Sequence, residues 1–190
     1  MNTTPAAEAV ERARQGDQAG LAELYATFGR RVLGLCRHLL GSPEAAEDAR
    51  SEVFLRLPRA LAQYDPSRPF DHWLLSVTSH HCLDVLRRRR LESRLFTGEM
   101  EDTDSAAAGS EPGPSPLVAL LTDEGRARVR DALMRLPERY RVSLSLRYYG
   151  ELGYDEIASQ LGVTRNHVAI LIFRGKQALR QRLADLDERT

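Results

Sequence analysis

Tyr154-Asp155-Glu156-Ile157-Ala158-Ser159-Gln160-Leu161-Gly162-Val163-Thr164-Arg165-Asn166-His167-Val168-Ala169-Ile170-Leu171 decides how the C-terminal part of this chain folds. It reads as two short helices meeting at a tight turn, a helix-turn-helix. Ala158 is the small residue that lets the helices touch. Gly162 follows Leu161 where the first helix must stop, and glycine takes the left-handed conformation of a helix end at least cost. Thr164 is placed to cap the second helix. Ile157, Leu161, Val163, Val168 and Leu171 supply the inward apolar set. An ordinary helical hairpin satisfies fewer of these positions at once. In such a unit the second helix enters the major groove of DNA. At about 100° per residue, Val168, Leu171, Ile172, Gly175, Leu179 and Leu183 form its inner seam, and Asn166, Ala169, Ile170, Phe173 and Gln177 face outward. Asn166 suits adenine, Ala169 and Ile170 suit thymine methyls, and Arg165, Arg174, Lys176 and Arg180 suit phosphates. Phe173 is read either as a DNA contact or as a contact with a neighbouring helix or partner.

Upstream, helical periodicity dominates and no alternating strand pattern competes. Leu21, Leu24, Tyr25, Phe28, Val32, Leu35 and Leu39 form one stripe. Ser42-Pro43-Glu44 is a helix start: a capping hydroxyl, proline at the first helical position, and an acid near the positive dipole end. Ala46, Ala49, Val53, Phe54, Leu57 and Leu61 continue that helix, with Pro58 expected to kink or end it. Its sequence Glu47-Asp48-Ala49-Arg50-Ser51-Glu52-Val53-Phe54-Leu55-Arg56-Leu57 carries apolar residues on more than one side. Either it docks a second partner or it is fully buried. Asp65-Pro66-Ser67-Arg68-Pro69 predicts a turn. A helix follows from about Phe70 to Arg90. One stripe holds Phe70, Leu74, Val77, His81 and Val85, widened by Leu75, Cys82 and Leu86. Trp73, Ser76, His80, Asp84 and Arg87 fall on another face, ahead of Arg87-Arg88-Arg89-Arg90. That face suits an unpaired strand; the alternative puts Trp73 in the core and the arginines in solvent at a favourable helix C-terminus. Further helices are predicted near 117–135, 137–149, 154–161 and 165–183.

Between the two helical regions lies Glu99 to Pro116, acidic, with three prolines and almost nothing to bury, hence a linker. Charge follows the same division. Residues 1–58 carry 7 basic and 8 acidic groups, 59–91 carry 6 and 3, 92–125 carry 1 and 8, and 126–190 carry 13 and 8. The zero net charge therefore hides two mildly basic patches around an acidic segment, which excludes a uniformly basic nucleic-acid binder. The 190 residues are 42% apolar and 28% charged, ordinary for a soluble protein. No apolar run approaches the roughly 20 residues of a membrane span. Met1 to Glu11 lacks a signal-peptide pattern, so Cys36 and Cys82 are expected to be reduced and intracellular. His80-His81-Cys82 is a poor metal site, because adjacent helical residues diverge by about 100°. No paired-ligand motif such as His-Glu-x-x-His supports a metal-dependent enzyme.

Taken together, these segments resemble a bacterial RNA polymerase sigma factor of the small extracytoplasmic-function type. The resemblance rests on Glu47 to Arg56, on Tyr64-Asp65-Pro66 through Phe70-Asp71-His72-Trp73-Leu74, and on Asp84-Val85-Leu86-Arg87-Arg88. It continues in Leu136-Pro137-Glu138-Arg139-Tyr140-Arg141, Leu144-Ser145-Leu146-Arg147-Tyr148, Tyr154-Asp155-Glu156-Ile157-Ala158 and Leu161-Gly162-Val163. It implies an all-α fold of two small helical domains: residues 1–95 (region 2), an acidic flexible linker over 96–116, and 117–190 (region 4) with the helix-turn-helix. It implies docking on core RNA polymerase, on the clamp helices of the largest subunit and on the flap, with Asp48, Glu52, Phe54 and Leu55 on the docking helix. It implies promoter DNA as ligand. Trp73, His80, Asp84, Arg87 and Arg88 would read the melted minus-ten element; Arg165, Asn166, His167, Ala169, Ile170, Arg174 and Lys176 would read the duplex minus-thirty-five element. It also implies a cytoplasmic protein without membrane insertion, cofactor, metal or enzymatic activity, held by a separate anti-sigma factor. Relatives often carry Arg-Asn in place of His80-His81, and basic residues in place of Ala169 and Leu171, so the promoter sequence is this chain's own. The alternative reading is a free-standing helix-turn-helix regulator that binds duplex DNA without polymerase.

Overall fold

The computed structural model describes residues 4–97 and 123–187. Residues 98–116 of the expected linker and residues 117–122 of the helix expected near 117–135 lie outside them, whereas residues 96 and 97, expected in the linker, are helical. Eight α-helices occupy the described residues: α1 (Thr4–Arg14), α2 (Gln18–Leu40), α3 (Pro43–Ala60), α4 (Phe70–Thr97), α5 (Asp123–Met134), α6 (Glu138–Tyr148), α7 (Tyr154–Leu161) and α8 (Arg165–Asp187). The chain divides into two compact units between Gly98 and Glu99.

In the first unit, local chemistry sets the helix ends. Asp17 Oδ1 accepts from the Ala19 N–H at 2.9 Å to cap α2, and Gly41, at φ 73°, closes it. Ser42 Oγ accepts from the Ala45 N–H at 3.2 Å, with Pro43 in the first turn of α3. Pro58 does not end α3. The helix runs to Ala60 and tightens into a 3₁₀ turn, Leu61–Gln63. At the end of a helix proline disrupts little beyond one hydrogen bond. Asp65 caps the next turn with both oxygens on Ser67, at 2.9 Å to its N–H and 2.8 Å to its hydroxyl. Those two contacts, the backbone one first, hold the Asp65 carboxyl below its usual range.

The helix α1 had no counterpart in the sequence reading. It buries Ala9, Val10 and Ala13 rather than a stripe of large residues. Gly20 of α2 makes the close approach possible: a Cβ there would sit 2.8 Å from the Ala13 nitrogen and 2.9 Å from the Ala9 carbonyl oxygen. Below it α2, α3 and α4 share a core of Leu24, Val32, Leu35, Leu39, Val53, Leu57, Leu74 and Leu75. The buried face of α4 is rotated from the expected stripe. Val77, His81 and Val85 are only half-buried, while Thr78 and Ser79 are fully buried. Their hydroxyls donate to the Leu74 and Leu75 carbonyls at 2.8 and 2.7 Å, which makes burial of these polar side chains affordable. Cys36 and Cys82 are buried free thiols with sulfurs 3.6 Å apart. The helix α4 also runs seven residues beyond Arg90, to Thr97, because no glycine or proline interrupts it before Gly98.

In the second unit α8 packs against α5, α6 and α7. Gly175 seats it on α6: a Cβ there would lie 3.2 Å from Leu144 and 3.3 Å from the Tyr140 Cβ. Gly162, at φ 70°, ends α7, and the Val163 N–H returns to the Ala158 carbonyl at 3.1 Å. Thr164 Oγ1 accepts from the His167 N–H at 3.2 Å, the cap expected for α8. Gly153 has no side chain to cap α7, and Glu156 reaches back to its N–H at 2.7 Å.

Candidate nucleic-acid and protein interfaces

The helix α3 buries Ala46, Ala49, Val53 and Leu57 and leaves Leu55 74% exposed. Full burial of this helix is thereby excluded. Phe54 is half-buried, its ring 4.8 Å from that of Tyr25 on α2 in an edge-on contact. Arg50 lies over Tyr25 at 5.2 Å and pairs with Glu47 at 2.5 Å. Glu52 pairs with Arg56 at 2.5 Å, and Asp48 is exposed. The surface is thus an exposed aliphatic residue beside a braced aromatic, with carboxylates along the same helix.

On α4, Trp73 is half-buried, between the two alternatives the sequence left open. Its ring lies 5.0 Å from Tyr64 and 5.7 Å from Phe70. The Tyr64 hydroxyl donates to the Arg68 carbonyl at 2.7 Å, which anchors this aromatic cluster to the turn before α4. One part of the indole is therefore packed and another part is accessible. His80 is exposed, with Nδ1 2.9 Å from the Ser76 carbonyl oxygen. Asp84 and Arg87 pair at 2.8 Å, and the Arg88 Nε donates to the Asp84 carbonyl at 3.4 Å. His81 is half-buried, and burial, followed by the nearby Arg56 charge, pushes its pKa below the ordinary value of 6.5.

On α8 the expected residues separate. Asn166 and Arg165 are exposed, and His167, Ala169, Arg174 and Lys176 are half-exposed. Phe173 is 37% exposed. Ile170 is a correction: expected to face outward, it is only 5% exposed. Three helices surround α8, so more than its single calculated seam is covered. Lys176 Nζ lies 5.1 Å from the centre of the Tyr148 ring. The sequence reading missed Tyr154 and Arg147, which join Arg165 at the entrance to the helix-turn-helix. Both guanidinium carbons lie near the same tyrosine ring, at 5.5 Å for Arg147 and 5.6 Å for Arg165. Arg147 lies seven residues before Tyr154 across a turn, and no sequence periodicity marks that meeting.

Among the described residues no three or more histidine, cysteine, aspartate or glutamate side chains are grouped to hold a metal ion. None of the described helices is long and apolar enough to cross a membrane.

Two family models match the chain, one on each unit: sigma-70 region 2 over residues 24–92 and sigma-70 region 4 over residues 126–179. The chain is similar to the ECF RNA polymerase sigma factor SigW of Bacillus subtilis, 28% identical over 180 residues, which are 93% of this chain and 96% of that one. It is also similar to the ECF RNA polymerase sigma-E factor of Escherichia coli, 28% identical with 95% of each chain covered. Among solved structures, CnrH in complex with the cytosolic domain of CnrY shares the fold, with a TM-score of 0.57, 22% identity, and 98% and 99% of the two chains covered. The α3–α4 surface lies within the region 2 match, and the helix-turn-helix lies within the region 4 match. Both halves of the sigma architecture are thus present in their order, and relatives with the same two halves align along nearly the whole length: the chain belongs to the sigma-70 family, as an RNA polymerase sigma factor of the extracytoplasmic-function type.

Proposed function

We propose that this sigma factor divides its work between the two units. The family fixes the overall activity: the protein binds core RNA polymerase and directs promoter-specific transcription initiation, and the polymerase supplies the catalysis. Within that activity, the α3 surface of Asp48, Glu52, Phe54 and Leu55 docks on the clamp helices of the largest subunit. Trp73, His80, Asp84, Arg87 and Arg88 on α4 face the melted minus-ten strand. Arg165, Asn166, His167, Ala169, Arg174 and Lys176 on α8 face the minus-thirty-five duplex, and the second unit also meets the flap. Residues 1–95 and 117–190 are the two working domains, with the acidic 96–116 segment between them.

The observation that carries this division is Leu55. An aliphatic side chain 74% exposed on a helix that already buries its other face suits a protein partner better than solvent or phosphate. A cytoplasmic location and control by a separate anti-sigma factor fit the same reading. Its structural relative RpoE from Bartonella quintana, at a TM-score of 0.58 and 15% identity, was solved in complex with the anti-sigma factor NepR.

The charge distribution supports dependence on polymerase. The 126–190 block carries 13 basic and 8 acidic groups, and the 92–125 block carries 1 and 8. Few phosphate contacts give weak, salt-sensitive binding, and opening a duplex costs stacking energy at each step. Polymerase makes the second promoter contact intramolecular. A gel shift at physiological salt, with and without core enzyme, tests this. Specific binding should need the core enzyme. Specific nanomolar binding by the free protein would instead establish the free-standing regulator.

A further inference from the structure

The chain has two cysteines, and the fold brings them together. Cys36 lies on α2 and Cys82 on α4, 46 residues apart in sequence, with sulfurs 3.6 Å apart. Both are fully buried, in the rows that carry Leu35 and Leu39 on α2 and Ser79 and Leu86 on α4. A buried cysteine can serve as a small apolar filler, but that use places no demand on where a second cysteine lies. A buried side chain touches about 6–12 others, so two cysteines placed independently among 190 residues would seldom meet. Their direct contact is the feature that core filling leaves unexplained.

The pair is inert while packed. The Cys82 S–H donates to the Cys36 sulfur, and that bond, followed by burial, pushes the Cys82 thiol up from its ordinary value. The thiolate is the reactive form, and here it is disfavoured. Separation of α4 from α2 removes both restraints and admits a small oxidant. A disulfide needs sulfurs about 2.05 Å apart, so the two have only about 1.5 Å to close when the helices repack.

We propose that Cys36 and Cys82 form a latent redox latch, closed to an intramolecular disulfide by a peroxide. One thiol loses its proton and attacks hydrogen peroxide. A sulfur–oxygen bond forms, the O–O bond breaks, and the released hydroxide takes that proton to become water. The second thiol attacks the resulting sulfenic acid. The sulfur–sulfur bond forms, the sulfur–oxygen bond breaks, and the hydroxyl leaves with the second thiol's proton as another water. Two thiols are oxidised and one peroxide is reduced. A dithiol reverses the reaction. The closed latch ties α2 to α4 with α3 inside the loop, so it limits the unfolded chain. Neither sulfur reaches the surface, and the exposed Leu55 and His80 keep their places.

The test treats the full chain with hydrogen peroxide at increasing urea below the unfolding midpoint, followed by alkylation and peptide mapping. Mapping keeps oxidation of the three methionines apart from that of the thiols. A linked Cys36–Cys82 peptide should form, faster as the midpoint is approached, and disappear with dithiothreitol. After urea is removed, the oxidised protein, followed through Trp73 fluorescence, should melt about 10 °C higher than the reduced protein. Cys82→Ala should gain nothing from peroxide. The reduced and oxidised parent carry the test by themselves, so it stands even if Cys82→Ala fails to fold. Free thiols at every urea concentration, sulfinic acid or chain-to-chain disulfides as the main product, or a melting temperature that stays or falls overturns the latch. Co-elution of the oxidised protein with core polymerase should match that of the reduced protein. Loss on oxidation alone overturns a latch that leaves the surface in place, whereas failure of the reduced protein to co-elute bears on the sigma-factor reading instead.

Discussion

The two units treat their arginines differently. In the first, carboxylate pairs dominate: Arg31 pairs with Asp71 at 2.8 Å, Arg37 and Arg50 with Glu47, Arg56 with Glu52, and Arg87 with Asp84, while Arg50 also lies over the Tyr25 ring. In the second, ring contacts are more frequent: Arg139 lies over Tyr140, Arg147 and Arg165 over Tyr154, and Lys176 over Tyr148, beside the carboxylate pairs Arg135 with Asp131, Arg141 with Glu138 and Arg165 with Asp155. A carboxylate cancels the charge that a phosphate would need. An aromatic ring orients the charge without neutralising it. The first unit therefore presents apolar groups, Leu55 and part of Trp73, within a charge-compensated surface. The second presents braced cations. That contrast fits the proposed division, with protein docking and base stacking in one unit and duplex-backbone contact in the other.

The largest expected effect tests the apolar side of this contrast. Leu55→Glu, or Asp48→Arg on the same helix, should abolish promoter-directed transcription and co-elution with core polymerase. Both side chains are exposed, so melting should stay near that of the parent protein. Retained co-elution in folded Leu55→Glu would remove α3 as the docking surface. Trp73 comes next. Stacking on an unpaired base is worth about 1–3 kcal/mol, so Trp73→Ala should slow transcription from duplex promoters by roughly ten- to a hundredfold and lose much less on a pre-melted bubble. Equal losses on both templates, together with a lower melting temperature, would assign the indole to its cluster with Tyr64 and Phe70 alone.

The recognition helix sharpens the comparison through neighbouring positions. Asn166→Ala should cost about 1–3 kcal/mol at one base position and relax the preference there. Ile170→Ala should instead destabilise the second unit by about 2–5 kcal/mol, since it empties a buried site. Ile170→Ala should leave base preference intact in whatever fraction remains folded. A shift in base preference with unchanged melting would return Ile170 to the DNA-facing side.

Ile170 also marks how far the sequence could be read. Helix ends were legible where a single local interaction sets them: Ser42 and Pro43 at α3, Gly162 after α7, and Thr164 before α8. The candidate surface on α3 was legible because Leu55 breaks the periodicity that its neighbours keep. Facts set by packing across helices were not. The helix α1 is held by alanines against Gly20, which leave no stripe to detect. Thr78 and Ser79 look polar in sequence and are buried because each hydroxyl finds a carbonyl one turn back. Ile170 sits outside the seam that one packing partner would need, and α8 has three. The meeting of Arg147, Tyr154 and Arg165 depends on the fold of three helices, so its members are unremarkable one by one.

The smallest expected effect concerns pH and is confined to the first unit. His81 is half-buried on α4, faced by Arg56 and Glu52 from α3 and by Asp84 and Arg88 from its own helix. Burial and the arginines disfavour its protonated form, and the two carboxylates only partly offset them, so its pKa falls below 6.5. The unfolded chain then binds a proton at a higher pH than the folded chain does. Stability from this group is present above pH 6.5 and is lost as pH falls through the folded value. Melting of the first unit can be followed through Trp73, the single tryptophan of the chain. Between pH 7.5 and 5.5 the parent protein should lose more melting temperature than His81→Gln, which cannot titrate there. The second unit has its histidine, His167, half-exposed at the start of α8, outside the packed core. A parallel loss in parent and variant would show that Glu52 and Asp84 offset both the burial of His81 and the Arg56 and Arg88 charges.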